Sequence, residues 1–89
     1  AVILEIGRAM LSDYPLLGRD PEVLGGKPIV RGTRISVSII LEWFASGGTP
    51  ATIHEAYPHV SIEAIQQALL FASEQVSAVE YVDLRLSAA

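Results

Sequence analysis

The fold is decided by residues 25–37, which read Gly25-Gly26-Lys27-Pro28-Ile29-Val30-Arg31-Gly32-Thr33-Arg34-Ile35-Ser36-Val37. The stretch contains three glycines, one proline and three basic residues, and no acidic residue. Glycine adopts backbone conformations that other residues avoid, and proline fixes its own φ while biasing the preceding residue toward extended backbone. A rigid turn and a short ribbon leading into a helix are therefore predicted. The expected structural turn positions are Gly25, Gly26, Pro28 and Gly32.

Three amphipathic helices are expected after this stretch. The first covers about residues 36–46, and Gly47-Gly48 ends it, because glycine favours the left-handed conformation found at helix C-termini. Thr49 is the expected N-cap of the second helix, with Pro50 at its first position. Ser61 is the expected N-cap of the third. Such short links between short helices are typical of a helix-turn-helix.

Each helix has a predicted core-facing stripe at helical spacing. The stripes consist of Val37, Ile40, Leu41 and Phe44 on the first helix, Ile53, Ala56 and Tyr57 on the second, and Ile62, Ile65, Ala68, Leu69, Ala72 and Val76 on the third. The fold class expected is thus mainly α, a three-helix helix-turn-helix with short β segments at the N- and C-terminal ends.

Those terminal β segments have different signals. Residues 2–6 fit a short strand, but their apolar positions also fit a helical stripe. Residues 81–86 alternate apolar and charged side chains, which favours a strand. A lone strand needs a partner edge, which the N-terminal segment, a second copy or another protein could supply. The expected division is an extension over residues 1–13, a domain over 14–80 and a strand or tail over 81–89.

The composition favours a small binding protein. Eighty-nine residues form one domain, and a hydrophobic content of 51% leaves apolar surface for a homodimer or a partner. The absence of cysteine excludes disulfides and a cysteine-based zinc site. No apolar run approaches the length of a membrane span, so a cytoplasmic protein is expected.

Charge is distributed unevenly along the chain. Residues 1–34 contain five basic and four acidic residues, whereas residues 35–89 contain one basic and six acidic residues. The chain as a whole is therefore not a typical nucleic-acid binder. Any DNA contact would depend on the local cluster of Lys27, Arg31 and Arg34.

No catalytic or metal-binding pattern is evident. Gly26-Lys27 lacks the upstream glycine and the following Ser or Thr that a phosphate-binding loop needs. His54 and His59 are too few for a metal site, and neither belongs to a nucleophilic triad. We therefore expect no enzyme activity, no metal, no cofactor and no small-molecule substrate.

A partner or dimer surface is predicted from apolar residues outside the core stripes. Ile39 and Trp43 lie one helical turn apart, and the third helix adds Leu70 and Phe71. The full expected set is Ile39, Trp43, Leu70, Phe71, Tyr81, Val82 and Leu84. Aromatic residues are favoured interface anchors. In the alternative interpretation, the terminal segments cover this surface within one chain.

Two motifs resemble a known family. Asp20-Pro21-Glu22-Val23-Leu24 followed by Gly26-Lys27-Pro28-Ile29-Val30-Arg31-Gly32-Thr33-Arg34-Ile35 is similar to the small bacterial and archaeal domain-of-unknown-function family 433, regarded as VapB-type antitoxins. Ala45-Ser46-Gly47, Glu55-Ala56-Tyr57-Pro58-His59 and Ile65-Gln66-Gln67-Ala68-Leu69-Leu70-Phe71-Ala72 extend the resemblance to most of the chain. It implies a homeodomain-like or winged helix-turn-helix, a PIN-like ribonuclease toxin as partner, and repression of the shared operon.

A DNA role remains one of two interpretations. The second helix of such a pair enters the major groove, and here it would present Gln66 and Gln67, whose amides can pair with adenine edges. Phosphate contacts would fall to Lys27, Arg31 and Arg34, which in the other interpretation form only a solvated or locally paired turn. The function predicted is a non-catalytic antitoxin that covers a ribonuclease toxin and can also bind operator DNA. A stand-alone DNA-binding regulator and a structural dimerisation module are the alternatives.

Overall fold

A computed structural model describes residues 11–88 of the chain, with side chains over residues 11–77. Within that range, strands β1 (Leu17–Gly18) and β2 (Ile29–Val30) precede helices α1 (Val37–Ala45), α2 (Pro50–Ala56) and α3 (Ile62–Ala88). Single 3-10 turns occupy Leu11–Asp13 and Leu24–Gly26. The prediction of a mainly helical fold with three helices is confirmed, and the strand predicted over residues 2–6 lies outside the described residues.

The glycine-rich stretch forms the second half of an antiparallel ribbon. Leu17 pairs with Val30 and Gly18 with Ile29. Gly25, Gly26 and Gly32 have φ values of 67°, 82° and 78°, which confirms them as turn positions. The Pro28 carbonyl accepts a hydrogen bond from the Val37 N–H at 3.0 Å, so the ribbon is tied directly to the start of α1.

The predicted helix caps are confirmed. The Ser36 hydroxyl accepts a hydrogen bond from the Ile39 N–H at 3.0 Å, and the Ser61 hydroxyl accepts one from the Ala64 N–H at 3.1 Å. Thr49 and Thr52 form a capping box at the start of α2. Gly47, with φ of 92°, follows α1 as predicted.

The core lies between the ribbon and the three helices. Its largest fully buried side chains are Leu17, Ile40, Ile53, Val60 and Ile65. Around these, α3 presents a buried face made of Ala64, Ile65, Ala68 and Phe71.

Several stripe predictions were wrong. Ile62 is 42% exposed, Leu41 37% and Val76 56%, and Ala56 is also exposed, while Ala64 and Phe71 are buried instead. The buried face of α3 differs from the predicted one in that it includes Phe71, on which Tyr14 packs from the segment before β1. The Tyr14 and Phe71 rings meet edge to face with centroids 5.7 Å apart, and the Tyr14 hydroxyl donates to the Glu74 carboxylate.

The predicted C-terminal strand was also wrong. Helix α3 has 27 residues and continues to Ala88, so positions 81–86 are helical and the expected boundary after residue 80 falls inside the helix. The alternation of apolar and charged residues is short, and α3 continues through it because no glycine or proline follows Pro58 to end the helix. In the described part of the chain, no helix combines the length and apolar character needed to cross a membrane.

Candidate functional site

An apolar groove of about 390 Å³ lies between α1 and α3. Val37 and Phe71, both buried, form its floor, and the more exposed Leu41 and Val76 form its sides. Lys27 is the basic residue of its lining. The complete lining is Lys27, Pro28, Val37, Ser38, Leu41, Phe71, Ala72, Gln75 and Val76.

The groove continues along α3. A second depression of about 440 Å³ shares Leu41, Ala72 and Val76 with the first and adds Leu69, Ser73 and Ser77. We call the two together the α1–α3 groove. An apolar depression bounded by two helices is the kind of surface that accepts an amphipathic segment of another protein.

The predicted partner residues are dispersed by the fold. Ile39 and Trp43 line a separate shallow groove of about 290 Å³ with Glu42 and Ser46. The Trp43 ring packs edge to face on Tyr57, with centroids 6.0 Å apart, and its Nε1–H donates to the Tyr57 hydroxyl at 3.4 Å. Trp43 is therefore partly committed to packing within the chain.

On α3, the predicted partner residues have different positions. Leu70 is 58% exposed and is available to a partner. Phe71 is only 5% exposed, so its expected place on the surface is corrected to the core and the groove floor. Tyr81, Val82 and Leu84 belong to α3 and not to a strand.

A cationic cleft of about 520 Å³ lies on the ribbon, and no residue of α1 lines it. Three arginines line it, Arg19 after β1 and Arg31 and Arg34 after β2, and His59 joins them from the link between α2 and α3. The complete lining is Gly18, Arg19, Asp20, Val23, Ile29, Arg31, Gly32, Thr33, Arg34 and His59.

Backbone carbonyls hold Arg31 in a fixed orientation. Its Nε–H donates to the Pro15 carbonyl and its Nη2–H to the Leu17 carbonyl, both at 3.0 Å. An ideal Cβ at Gly18 would lie 3.7 Å from the Arg31 Cζ, so the guanidinium packs closely over this glycine. Arg31 is therefore fixed against the β1 segment, and it is also one of the residues that line the cleft.

The predicted DNA-contacting residues do not all line one cleft. Arg31 and Arg34 share the cationic cleft, but Lys27 lines the α1–α3 groove. Gln66 is exposed on α3, whereas the Gln67 side-chain oxygen accepts a hydrogen bond from the Leu16 N–H at 2.9 Å. Gln67 therefore has a structural role that its sequence position did not indicate.

Sequence reasoning missed Arg19 and His59 as members of the cleft. Arg19 follows β1 and Arg31 follows β2, so the antiparallel pairing of these strands lets both residues line one cleft, and this pairing was not predicted. His54 has a local role, because its Nδ1 lies 2.6 Å from the Val60 carbonyl oxygen and must donate to it. Among the described residues, no group of three His, Asp or Glu side chains is placed to hold a metal ion.

Comparison with known proteins gives a family match. The model of the family described as "Protein of unknown function (DUF433)" matches residues 17–72, which include the ribbon, α1, α2 and the first part of α3. "Uncharacterized protein y4eO" of Sinorhizobium fredii (strain NBRC 101917 / NGR234) is 38% identical over 52 residues, or 58% of this chain and 24% of that relative. The match thus spans about a quarter of the length of the curated relative. No solved structure matches the chain.

Proposed function

The chain belongs to the DUF433 family, and from this premise we propose that it is an antitoxin-like, non-catalytic protein that silences a PIN-like ribonuclease by covering it. It acts in the cytoplasm as a homodimer, without a cofactor or a small-molecule substrate. Inhibition is by occlusion: the α1–α3 groove receives a segment of the ribonuclease and keeps RNA from its active site.

The exposed apolar lining of the α1–α3 groove is the observation that carries this proposal. Leu41 and Val76 are 37% and 56% exposed although both lie beside buried core residues. Fully burying a side chain of this size from complete exposure contributes about 1.5–3 kcal/mol, so covering the exposed part of each residue contributes a fraction of that amount. A partner that covers both therefore gains free energy without any change in this chain's core.

Charge at the groove favours an acidic partner. Lys27 is the cation in the lining, and the adjoining depression along α3 adds serines and apolar residues but no further cation. A metal-dependent ribonuclease binds its catalytic ions through carboxylates, so it presents an acidic surface near its active site. Lys27 would pair with that surface while the apolar residues provide the contact area.

A DNA-binding regulator is the second candidate function. The observations that favour it are the meeting of Arg31 and Arg34 in one cleft and the exposure of Gln66 on α3. Phosphate contacts supply much of the affinity for DNA, and an exposed amide can contact a base edge. A structural dimerisation module would use the α1–α3 groove against a second copy.

Co-expression with the product of the adjacent open reading frame, which the proposal expects to be a ribonuclease, tests the first proposal. We expect this chain to restore growth that the ribonuclease arrests, and to co-purify with it. Leu41→Asp and Val76→Asp should abolish both effects, because each places a charge in the apolar groove. Ala51→Asp adds the same charge at an exposed position on α2, outside the groove lining, and should keep both effects.

Three results would contradict the proposal. One is continued growth arrest with the wild-type chain, and another is equal rescue by Val76→Asp and Ala51→Asp. The third is a groove that is occupied by a second copy of this chain even when the ribonuclease is in excess, which would favour the dimerisation module.

A further inference from the structure

The cationic cleft carries more positive charge than one carboxylate could neutralise. Arg19, Arg31 and Arg34 contribute three positive charges, and Asp20 contributes one negative charge, so these four residues leave a net of two positive charges. The Asp20 carboxylate also accepts a hydrogen bond from the Glu22 N–H at 2.9 Å, so it is engaged within its own turn. Among the described residues, Arg19 and Arg34 form no ion pair that would neutralise them.

The donors of Arg31 are already oriented before any ligand binds. Two of the five guanidinium N–H groups donate to the Pro15 and Leu17 carbonyls, so three remain. Fixing an arginine in advance reduces the conformational entropy that binding would otherwise cost. Planar, bidentate donation of this kind suits a phosphate group.

The turn after β2 leaves room beside these donors. Gly32 has φ of 78°, and a Cβ placed on it would meet nothing within 4 Å. Arg34 follows on the same turn, and His59 lines the cleft with its ring edge to face against Tyr57, centroids 6.4 Å apart. Cationic and neutral donors from three separate segments thus surround one cleft of about 520 Å³.

We propose that this cleft is a phosphate-binding site in which Arg19, Arg31, Arg34 and His59 contact the phosphate oxygens. A phosphate monoester carries a charge of about −1.5 to −2 at neutral pH, which matches the net charge of the cleft. The site is separate from the α1–α3 groove, so it does not depend on the binding of a ribonuclease there.

Titration of the full chain with inorganic phosphate, followed by amide NMR shifts at constant ionic strength, tests the site. We expect saturable shifts at Gly32, Thr33 and Arg34. Arg19→Gln and Arg34→Gln should each weaken phosphate binding about tenfold, the effect of losing one charge-assisted hydrogen bond. Lys27→Gln removes the same charge outside the cleft and should leave the affinity within about twofold. Arg31 is left intact because its carbonyl contacts also support the ribbon.

Acetate provides the control for ligand chemistry. The proposal is overturned if phosphate gives no saturable shift, if acetate binds as tightly as phosphate, or if Lys27→Gln weakens binding as much as Arg34→Gln. Unchanged amide shifts outside the cleft show that each variant is folded.

Two further arms distinguish the source of the phosphate. A DNA duplex that binds more tightly than inorganic phosphate, with a salt slope that Arg34→Gln reduces by about one, supports a nucleic-acid backbone as the source. Adenosine monophosphate that binds more tightly than the duplex supports a small phosphorylated ligand.

Discussion

The side-chain oxygen of Gln67 accepts a hydrogen bond from the backbone N–H of Leu16, with the two atoms 2.9 Å apart. This bond ties α3 to the residues just before β1. We expect Gln67→Leu to lower the free energy of unfolding by about 1–3 kcal/mol, because it leaves a partly buried backbone donor without an acceptor. Urea denaturation followed by circular dichroism measures the change.

Gln66 provides the matched control for this bond. It is exposed on the same helix, so Gln66→Leu should change stability by less than about 0.5 kcal/mol. Gln67→Glu keeps an oxygen acceptor and should retain most of the stability. Equal destabilisation by Gln66→Leu and Gln67→Leu would show that the bond to Leu16 does not contribute.

Two isoleucines near the start of α3 test which face of the helix is buried. Ile65 is fully buried and Ile62 is 42% exposed. Ile65→Ala should cost about 2–5 kcal/mol of unfolding free energy, because it leaves a cavity, whereas Ile62→Ala should cost less than about 1 kcal/mol. If Ile62→Ala cost more than Ile65→Ala, Ile65 would not be the buried residue of the two.

Substitution of Gly32 tests the turn that follows β2 and lines the cationic cleft. Its φ of 78° is unfavourable for a residue with a Cβ, although the space around it is open. Gly32→Ala should therefore cost about 1–2 kcal/mol through backbone strain alone. Gly32→Asn should cost less, since asparagine adopts this conformation more readily. Thermal unfolding distinguishes the two, and an unaffected Gly32→Ala variant would refute a left-handed residue here.

The C-terminal half of α3 is tested by substitution at Val82. Val82→Pro should reduce the far-UV helical signal, because proline removes a backbone donor and disrupts the preceding turn. Val82→Ala should keep or raise the signal, alanine being the strongest helix former. If residues 81–86 formed a strand, neither substitution would lower the helical signal.

Local signals accounted for the parts of the fold that were predicted correctly. Ser36, Thr49 and Ser61 cap their helices through contacts within three residues, so their roles follow from neighbouring sequence. The positive φ values of the turn glycines are likewise local. The pairing of Leu17 with Val30 and the packing of Tyr14 on α3 are long-range contacts, and no short pattern indicates them.

The same distinction applies to the candidate sites. Arg31 and Arg34 are close in sequence, so their shared location was predictable. Arg19 and His59 join them through strand pairing and through the link between α2 and α3.

The prediction of a strand at the C-terminus failed because alternation over six residues is a weak signal. A helix with no glycine or proline to end it continues through those residues.

Inhibition of purified ribonuclease is the most direct measurement of the central claim, that the α1–α3 groove covers a nuclease. We predict that one equivalent of the wild-type chain stops RNA cleavage, that Val76→Asp raises the inhibition constant at least about tenfold, and that Ala51→Asp inhibits like the wild type. RNA cleavage that continues at full rate with excess wild-type chain, or equal inhibition by Val76→Asp and Ala51→Asp, would contradict it.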